Sequence, residues 1–417
     1  MFLGMPVAFA IGISGTVFFL QHMGEIPITT PIQLPLSQNL NFTLLAIPLF
    51  IFAGNLMNHA GITSRLINLA TVLTGHLRGG LAHVSCVLST LMGGVSGSAI
   101  ADAAMESRIL GPEMIKRGLP KGYAAGILSW SSLETPTIPP SIGLILFGTI
   151  AQVSVGRLFA GGIVPGLVVM VFLMISVAIT SRIRNFPPQR EKRASLKEIG
   201  SSVIQSIWAL LFPVILLVGL RFGLFTPSEI GALCVVYAVV VGVLIYGDLS
   251  LKGFLEALRG SMVDIGATMS LISLSSIFTY GIVWENITEL VSNIILGITN
   301  NPYIFLLIIM GLLIIAGCFI DATVLILMLT SIFYPIALKL GIDPVHFGLV
   351  FFMAAAIGNF TPPVGAAMYA VCSILDVSLG EYMKESWPFM IAVFAALLTI
   401  AFFPDLVLLI PNLIFGK

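Results

Sequence analysis

LMGGVSGSAIAD, residues 91–102, places three glycines, two serines and one aspartate inside an otherwise apolar run. Gly93, Gly94 and Gly97 loosen a helix. Ser96 and Ser98 offer side-chain oxygens, and Asp102 offers a charge. A carboxylate at membrane depth is costly unless it is paired, hydrated or used. IAGCFIDATVLI, residues 315–326 around Asp321, has the same character. Two such stretches point to a transporter with two related halves.

The composition sets the environment. Of 417 residues, 58% are hydrophobic and only 9% charged, with a mean hydropathy of +1.07. A soluble domain carries about a quarter charged residues, so the chain reads as an all-α polytopic membrane protein embedded in a lipid bilayer. The formal net charge is zero, so no basic footprint points to nucleic acid. Cys86, Cys234, Cys318 and Cys372 are scattered among apolar neighbours and read as packing residues. His22, His59, His76, His83 and His346 have no metal-ligand spacing. No phosphate-binding loop, HExxH or nucleophile elbow is present, so the chain reads as a non-enzyme. The first 20 residues lack a basic leader and a cleavage pattern and read as a retained spanning helix.

A spanning helix takes about 20 apolar residues. The candidates are 2–20, 42–59, 122–153, 158–180, 207–223, 229–247, 261–280, 345–375 and 388–411. Regions 81–115 and 303–340 break near their middles and read as re-entrant hairpins, which need surrounding protein or a water-filled cavity. Residues 181–206 carry Arg182, Arg184, Arg190, Lys192, Arg193 and Lys197, and the positive-inside rule places them in the cytoplasm. Counting crossings from that linker puts the openings of the two hairpins on opposite faces. Helix, helix, short amphipathic stretch (65–78), hairpin, interrupted helix and helix then recur from residue 229, with 284–298 as the second short stretch. This order predicts an inverted-topology repeat with its site at the repeat interface. The segments divide as 1–59 (scaffold), 60–180 (first transport part), 181–206 (linker), 207–300 (linking and scaffold helices) and 301–417 (second transport part).

The interrupted helices carry the remaining signals. ETPTIPPS, residues 134–141, and NFTPPVG, residues 359–365, each contain a proline pair. Proline removes a backbone donor and frees nearby carbonyls. Each pair lies about 40 residues beyond a hairpin carboxylate, counting Asp102 to Pro140 and Asp321 to Pro363. Freed carbonyls with Ser, Thr and Asn oxygens suit a hard cation such as sodium. Two copies suggest at least two cations with an anionic substrate between them. Bland readings stand beside these: GxxxG as helix packing, proline as a simple kink, Asp102 and Asp321 as helix caps, and Glu134 as an interfacial group.

The whole pattern resembles the large membrane (M) subunit of tripartite ATP-independent periplasmic (TRAP) transporters. The likeness runs through FLGMPVAFAIGISG (2–15), LLAIPLFIFAGNLMNHAGIT (44–63), GHLRGGLAHVSCVLSTLMGGVSGSAIADAAMESRILGPEM (75–114), GYAAGILSWSSLETPTIPPSIGLILFG (122–148), FGLFTPSEIGA (222–232) and HFGLVFFMAAAIGNFTPPVGAAMY (346–369).

The resemblance implies an elevator-type ion-transporter fold in a bacterial or archaeal inner membrane and sodium-coupled import of a small organic acid, such as sialic acid or a C4-dicarboxylate. It implies two partners, a small membrane (Q) subunit and a periplasmic substrate-binding (P) protein. Carried onto this chain, one sodium site uses Ser96, Ser98 and Asp102 with Thr137, Pro139 and Pro140. The other uses Gly317, Asp321 and Thr323 with Asn359, Thr361 and Pro362. Substrate contacts fall to Ser96, Gly97, Glu134, Thr135, Thr137, Asn359 and Thr361. A stand-alone sodium–carboxylate carrier and a channel or scaffold subunit are the alternative readings.

Overall fold

The computed structural model describes Met5 and residues 7–416, so the start of the segment predicted at 2–20 lies outside the described residues. The first half contains α1 (Val7–Gln21), α2 (Thr30–Asn39), α3 (Ala46–His59) and α4 (Ile62–Thr74). The first hairpin is α5 (Gly80–Gly93) with α6 (Ala99–Ile109), followed by the short α7 (Gly111–Lys116). The first broken helix is α8 (Lys121–Ser131), the single turn α9 (Glu134–Thr137) and α10 (Ile142–Ala151). α11 (Val155–Ile183) closes this half, and α12 (Leu196–Arg221) links to the next.

The second half begins with α13 (Pro227–Val240), which continues through the π-helical turn Val241–Ile245, then α14 (Leu251–Trp284) and α15 (Ile287–Ile298). The second hairpin is α16 (Pro302–Gly317) with α17 (Ala322–Lys339). The second broken helix is α18 (Pro344–Ile357), the 3-10 turn Gly358–Phe360 and α19 (Ala366–Leu375); α20 (Leu379–Phe402) and α21 (Pro404–Phe415) follow. Seven helices are long and apolar enough to span a membrane, among the described residues.

Local chemistry sets these boundaries. Ser98, Ser154, Ser195, Ser250, Asn301, Asp343 and Ser378 each accept a backbone N–H at a helix start, which removes an orphan donor. Thr226 and Glu229 form a reciprocal capping box on α13. Proline sits in the first turn of α13, α16, α18 and α21, where its missing N–H costs nothing.

Packing reveals the internal symmetry. α1 packs on α14, and α13 packs on α3, so the first scaffold helix of each half meets the second of the other. Beyond its break, each broken helix packs on the opposite half's hairpin, α10 on α17 and α19 on α6. Each leading segment also meets the opposite half's closing helix, α8 on α20 and α18 on α11. Such reciprocal exchange is what a two-fold relation between halves produces. Between the two hairpins the chain makes five crossings: the first broken helix, α11, α12, α13 and α14. An odd number puts the two hairpin openings on opposite faces, so the halves are inverted.

Several segments differ from the sequence expectation. α14 runs 34 residues, well beyond 261–280, because its first turns carry Lys252, Glu256 and Arg259 and dilute the hydropathy. α12 begins at Leu196, inside the stretch read as linker; the remainder of that stretch is docked, with Gln189 and Arg190 N–H groups both 2.9 Å from the Gly75 carbonyl. α2 was not anticipated, since Pro31 and Pro35 and a polar composition mask it. The single span predicted at 388–411 divides at Phe403, which precedes Pro404 and leaves the helical region. α17 has 18 residues, roughly 27 Å at 1.5 Å per residue, longer than a half-membrane limb.

Candidate functional site

The hairpin tips are built for close approach. Gly97 has φ +65° in the first tip, and a Cβ there would lie 2.4 Å from the Pro140 carbonyl oxygen. The left-handed backbone and the contact both demand glycine. In the second copy a Cβ on Gly358 would stand 2.1 Å from the carbonyl carbon of Gly317. Each tip therefore seats directly on the broken helix of its own half. Val364 N–H donates to the Cys318 carbonyl at 3.0 Å, which ties the second pair together. The Pro139–Pro140 and Pro362–Pro363 bonds are both cis.

Both tips open on one cavity of about 460 Å³. Its wall takes Ser96, Gly97, Ser98 and Ala101 from the first tip, and Asp321, Ala322 and Thr323 from the second. Pro136, Ile142 and Gly143 come from the first broken helix, and Ala356 and Asn359 from the second. The opposite wall is scaffold: Asn55 and Asn58 on α3, Asp264 and Thr268 on α14. Asn55 Nδ2 donates to Ser261 Oγ at 3.0 Å and to Asp264 Oδ2 at 3.3 Å, joining those two helices.

The N-terminal ends of α6, α10 and α17 all reach this cavity. Helix N-termini carry partial positive charge and suit an anion. Among the described residues no Lys or Arg lines the cavity, while Asp264, Asp321 and the hydroxyl and amide oxygens suit a hard cation. The wall thus fits an anion accompanied by cations better than an anion alone.

Several candidate residues stand elsewhere. Asp102 does not line the cavity. It is buried, with Oδ2 2.6 Å from Thr135 Oγ1, a hydroxyl that also lies 3.1 Å from the Ser89 carbonyl, and Oδ1 without a partner among the described residues. Glu134 is fully buried with its Oε2 hydrogen-bonded to Thr90 Oγ1, so it is not an interfacial solvated group. The Thr137 hydroxyl donates to the Leu133 carbonyl at 2.7 Å, and that of Thr361 to Ile357 at 3.0 Å. Both hydroxyls are thus spent on their own turns. Gly317 packs against Gly358, and Pro139, Pro140 and Pro362 form the breaks themselves.

The register of the repeat corrects one pairing. Ser98 caps α6 and Asp321 caps α17, accepting from Thr323 N–H at 2.8 Å. Ser98 and Asp321 stand the same number of residues before Pro140 and Pro363. Asp321 is therefore the counterpart of Ser98, and Asp102 corresponds to Leu325. Matching one carboxylate with another misled the count, because the cap rather than the charge is shared.

Sequence reasoning missed the scaffold wall. Asn55 and Asp264 are polar residues within predicted spans, which was the available signal. It also missed Tyr382, whose Oη lies 3.2 Å from Ser129 Oγ and donates to the Phe360 carbonyl at 3.0 Å. That hydroxyl ties the two broken helices together, beside the rings of Trp130 and Phe360, 5.6 Å apart. No carboxylate or proline pair marks Tyr382 in the sequence.

Comparison with known proteins agrees with this architecture. The family model described as "Tripartite ATP-independent periplasmic transporter, DctM component" matches residues 1–406. A sialic acid TRAP transporter large permease protein of Vibrio cholerae is 34% identical over 416 residues, covering 100% of this chain and 97% of its own. A C4-dicarboxylate TRAP transporter large permease protein of Pseudomonas aeruginosa is 33% identical, covering 97% and 94%. An isethionate TRAP transporter permease protein, DctMQ of Oleidesulfovibrio alaskensis, is 33% identical over 96% of this chain but only 63% of its own length. Among solved structures, the YdaH transporter of Alcanivorax borkumensis superposes with a TM-score of 0.68 over 96% of this chain and 98% of that one, at 10% identity. That likeness concerns the fold alone.

Proposed function

Because this chain belongs to the tripartite ATP-independent periplasmic transporter family as a DctM component, a multi-pass permease of the inner membrane and not an enzyme, we propose that it imports a small organic acid by secondary transport driven by sodium. The observation that carries this reading is the shared cavity, where two inverted hairpin tips and two broken helices meet one scaffold wall. The substrate class rests on the relatives, whose names specify sialic acid and C4-dicarboxylate, and on the helix N-termini around the cavity.

Sodium is cargo here. One ion would sit at the first tip, among Ser96, Gly97 and Ser98 with the Pro140 carbonyl at hand. A second would sit at Asp321 and Thr323 with Asn359 facing them. The carboxylate of the substrate would lie between, against the starts of α6, α10 and α17. Asp102, Thr135 and Thr137 act from behind the wall by holding the first broken helix in place.

Movement would be of the elevator kind. The hairpins, broken helices, α11 and α20 would shift together against α3 and α14, because the cavity lies along that boundary. A small membrane subunit and a periplasmic binding protein complete the system. The DctMQ relative, with more than a third of its length outside the matched region, has room for such a subunit in one chain.

The test is uptake by proteoliposomes holding this chain and its small subunit, with the binding protein outside and a panel of organic acids. Uptake is expected only with the binding protein and an inward sodium gradient. Uptake without sodium would overturn the coupling, and uptake without binding protein would assign a stand-alone carrier.

A further inference from the structure

Behind the first hairpin lies a polar cluster that the second half lacks. Glu106 on α6 and Glu134 on α9 are both fully buried. Neither lines the cavity, and neither forms an ion pair among the described residues. By the register of Ser98 with Asp321 and of the proline pairs, their counterparts are Leu329 and Ile357. Apolar side chains thus fill the same places in the other copy, so the hairpin fold itself does not require the acids. Two buried carboxylates without cations would cost several kcal/mol each if ionised.

Counting protons separates their roles. Both Glu106 oxygens accept hydroxyls, Ser85 Oγ at 2.5 Å and Ser89 Oγ at 2.9 Å. Ser131 Oγ lies 2.9 Å from Ser85 Oγ, and either hydroxyl can donate in that pair. Each Glu106 oxygen therefore has a hydroxyl partner of its own. Glu134 differs. Its Oε1 is buried without a partner, and its Oε2 meets only Thr90 Oγ1. The Thr90 hydroxyl also lies 3.1 Å from the Cys86 carbonyl, so it has one proton and two acceptors. Both contacts are satisfied together only when Glu134 is the donor to Thr90 and Thr90 donates to Cys86.

We infer that Glu134 is a proton-binding site that is occupied while the first hairpin is seated. The ligand is a proton because Glu134 is fully buried and lines none of the three described cavities, which leaves no room there for a larger ion. The other buried titratable groups on the packed elements are Asp102 on α6, His83 and Cys86 on α5, Tyr123 on α8, Cys372 on α19 and Tyr382 on α20, while Arg108 on α6, Lys121 on α8, Tyr369 on α19 and Glu381 and Lys384 on α20 are exposed and Glu385 on α20 pairs with Arg184. α11 contributes only Arg157 and Arg182 near its ends, and Arg157 is held by Asn412 and the Gly416 carbonyl. No cation on these elements pairs with Glu134 among the described residues. Removal of the proton therefore opposes the seated hairpin, and seating becomes proton-dependent. The link from seating to transport rests on the proposed function; the protonation state does not.

The test is infrared difference spectroscopy of the purified full chain, wild type minus Glu134→Gln, at neutral pH. The expected result is loss of a neutral carboxylic acid carbonyl band. Loss of carboxylate bands instead would overturn the inference. Should the variant not fold, titration of the wild type decides, since a neutral-acid band absent at neutral pH, where exposed carboxylates are ionised, excludes a bound proton. In the complete reconstituted system, wild-type uptake is expected to fall about tenfold at a pH that ionises Glu134, which corresponds to 1.4 kcal/mol. Glu134→Gln should hold within about twofold over the same range, and an unchanged pH profile would contradict proton-dependent seating.

Discussion

Gly358→Ala should reduce uptake by about 100-fold or more while the protein still inserts in the membrane. The new methyl group would stand 2.1 Å from the Gly317 carbonyl carbon and 2.3 Å from its Cα. These are backbone atoms of the second hairpin and cannot rotate away as a side chain can. The tip must lift from its seat, at a cost of about 3 kcal/mol for forced overpacking, and each 1.4 kcal/mol is a factor of ten in the seated population. Gly97→Ala should act similarly on the first hairpin. It combines a clash at 2.4 Å with the Pro140 carbonyl and about 1–2 kcal/mol for a left-handed backbone. Gly311→Ala on α16 meets nothing within 4 Å and should be neutral. Measured uptake normalised to inserted protein checks all three; near-normal transport by Gly358→Ala would remove the seated tip from the mechanism.

Asp321 yields the second large effect. Its carboxylate caps α17 through Thr323 and also faces the shared cavity. A cap alone contributes about 1 kcal/mol. Asparagine preserves the capping acceptor and removes the charge, whereas alanine removes both. Asp321→Asn is therefore expected to keep thermal stability near wild type and raise the sodium concentration for half-maximal uptake by roughly tenfold or more, since hydrogen-bonded charged contacts contribute about 1.5–3 kcal/mol. Asp321→Ala should show that loss and lower stability as well. Wild-type sodium dependence in Asp321→Asn would reduce Asp321 to a helix cap.

The repeat was legible in the sequence because its signals are chemical rather than statistical. Proline pairs cannot sit in an intact helix, and glycines with a carboxylate are conspicuous in an apolar run. Those features located both hairpins and both broken helices. The register was harder to read. Ser98 and Asp321 share a capping role across different side chains, so a search for matching charges paired Asp321 with Asp102. The scaffold wall and Tyr382 were hidden for another reason. Asn55, Asp264 and Tyr382 act through partners far along the chain, and no local period or spacing encodes such contacts. The long α14 escaped because hydropathy reports only the part of a helix that lies in lipid, whereas its cap at Ser250 starts it well outside.

The proposed pair of cation cages makes one quantitative demand. Each hairpin tip with its broken helix should carry its own cation, so each imported acid should be accompanied by at least two sodium ions. The reversal potential of substrate flux in proteoliposomes, with sodium and substrate gradients set independently and the binding protein present, measures that ratio directly. A ratio of two or more is the expected result. A ratio below two, or a reversal potential independent of sodium, would contradict a duplicated cation cage.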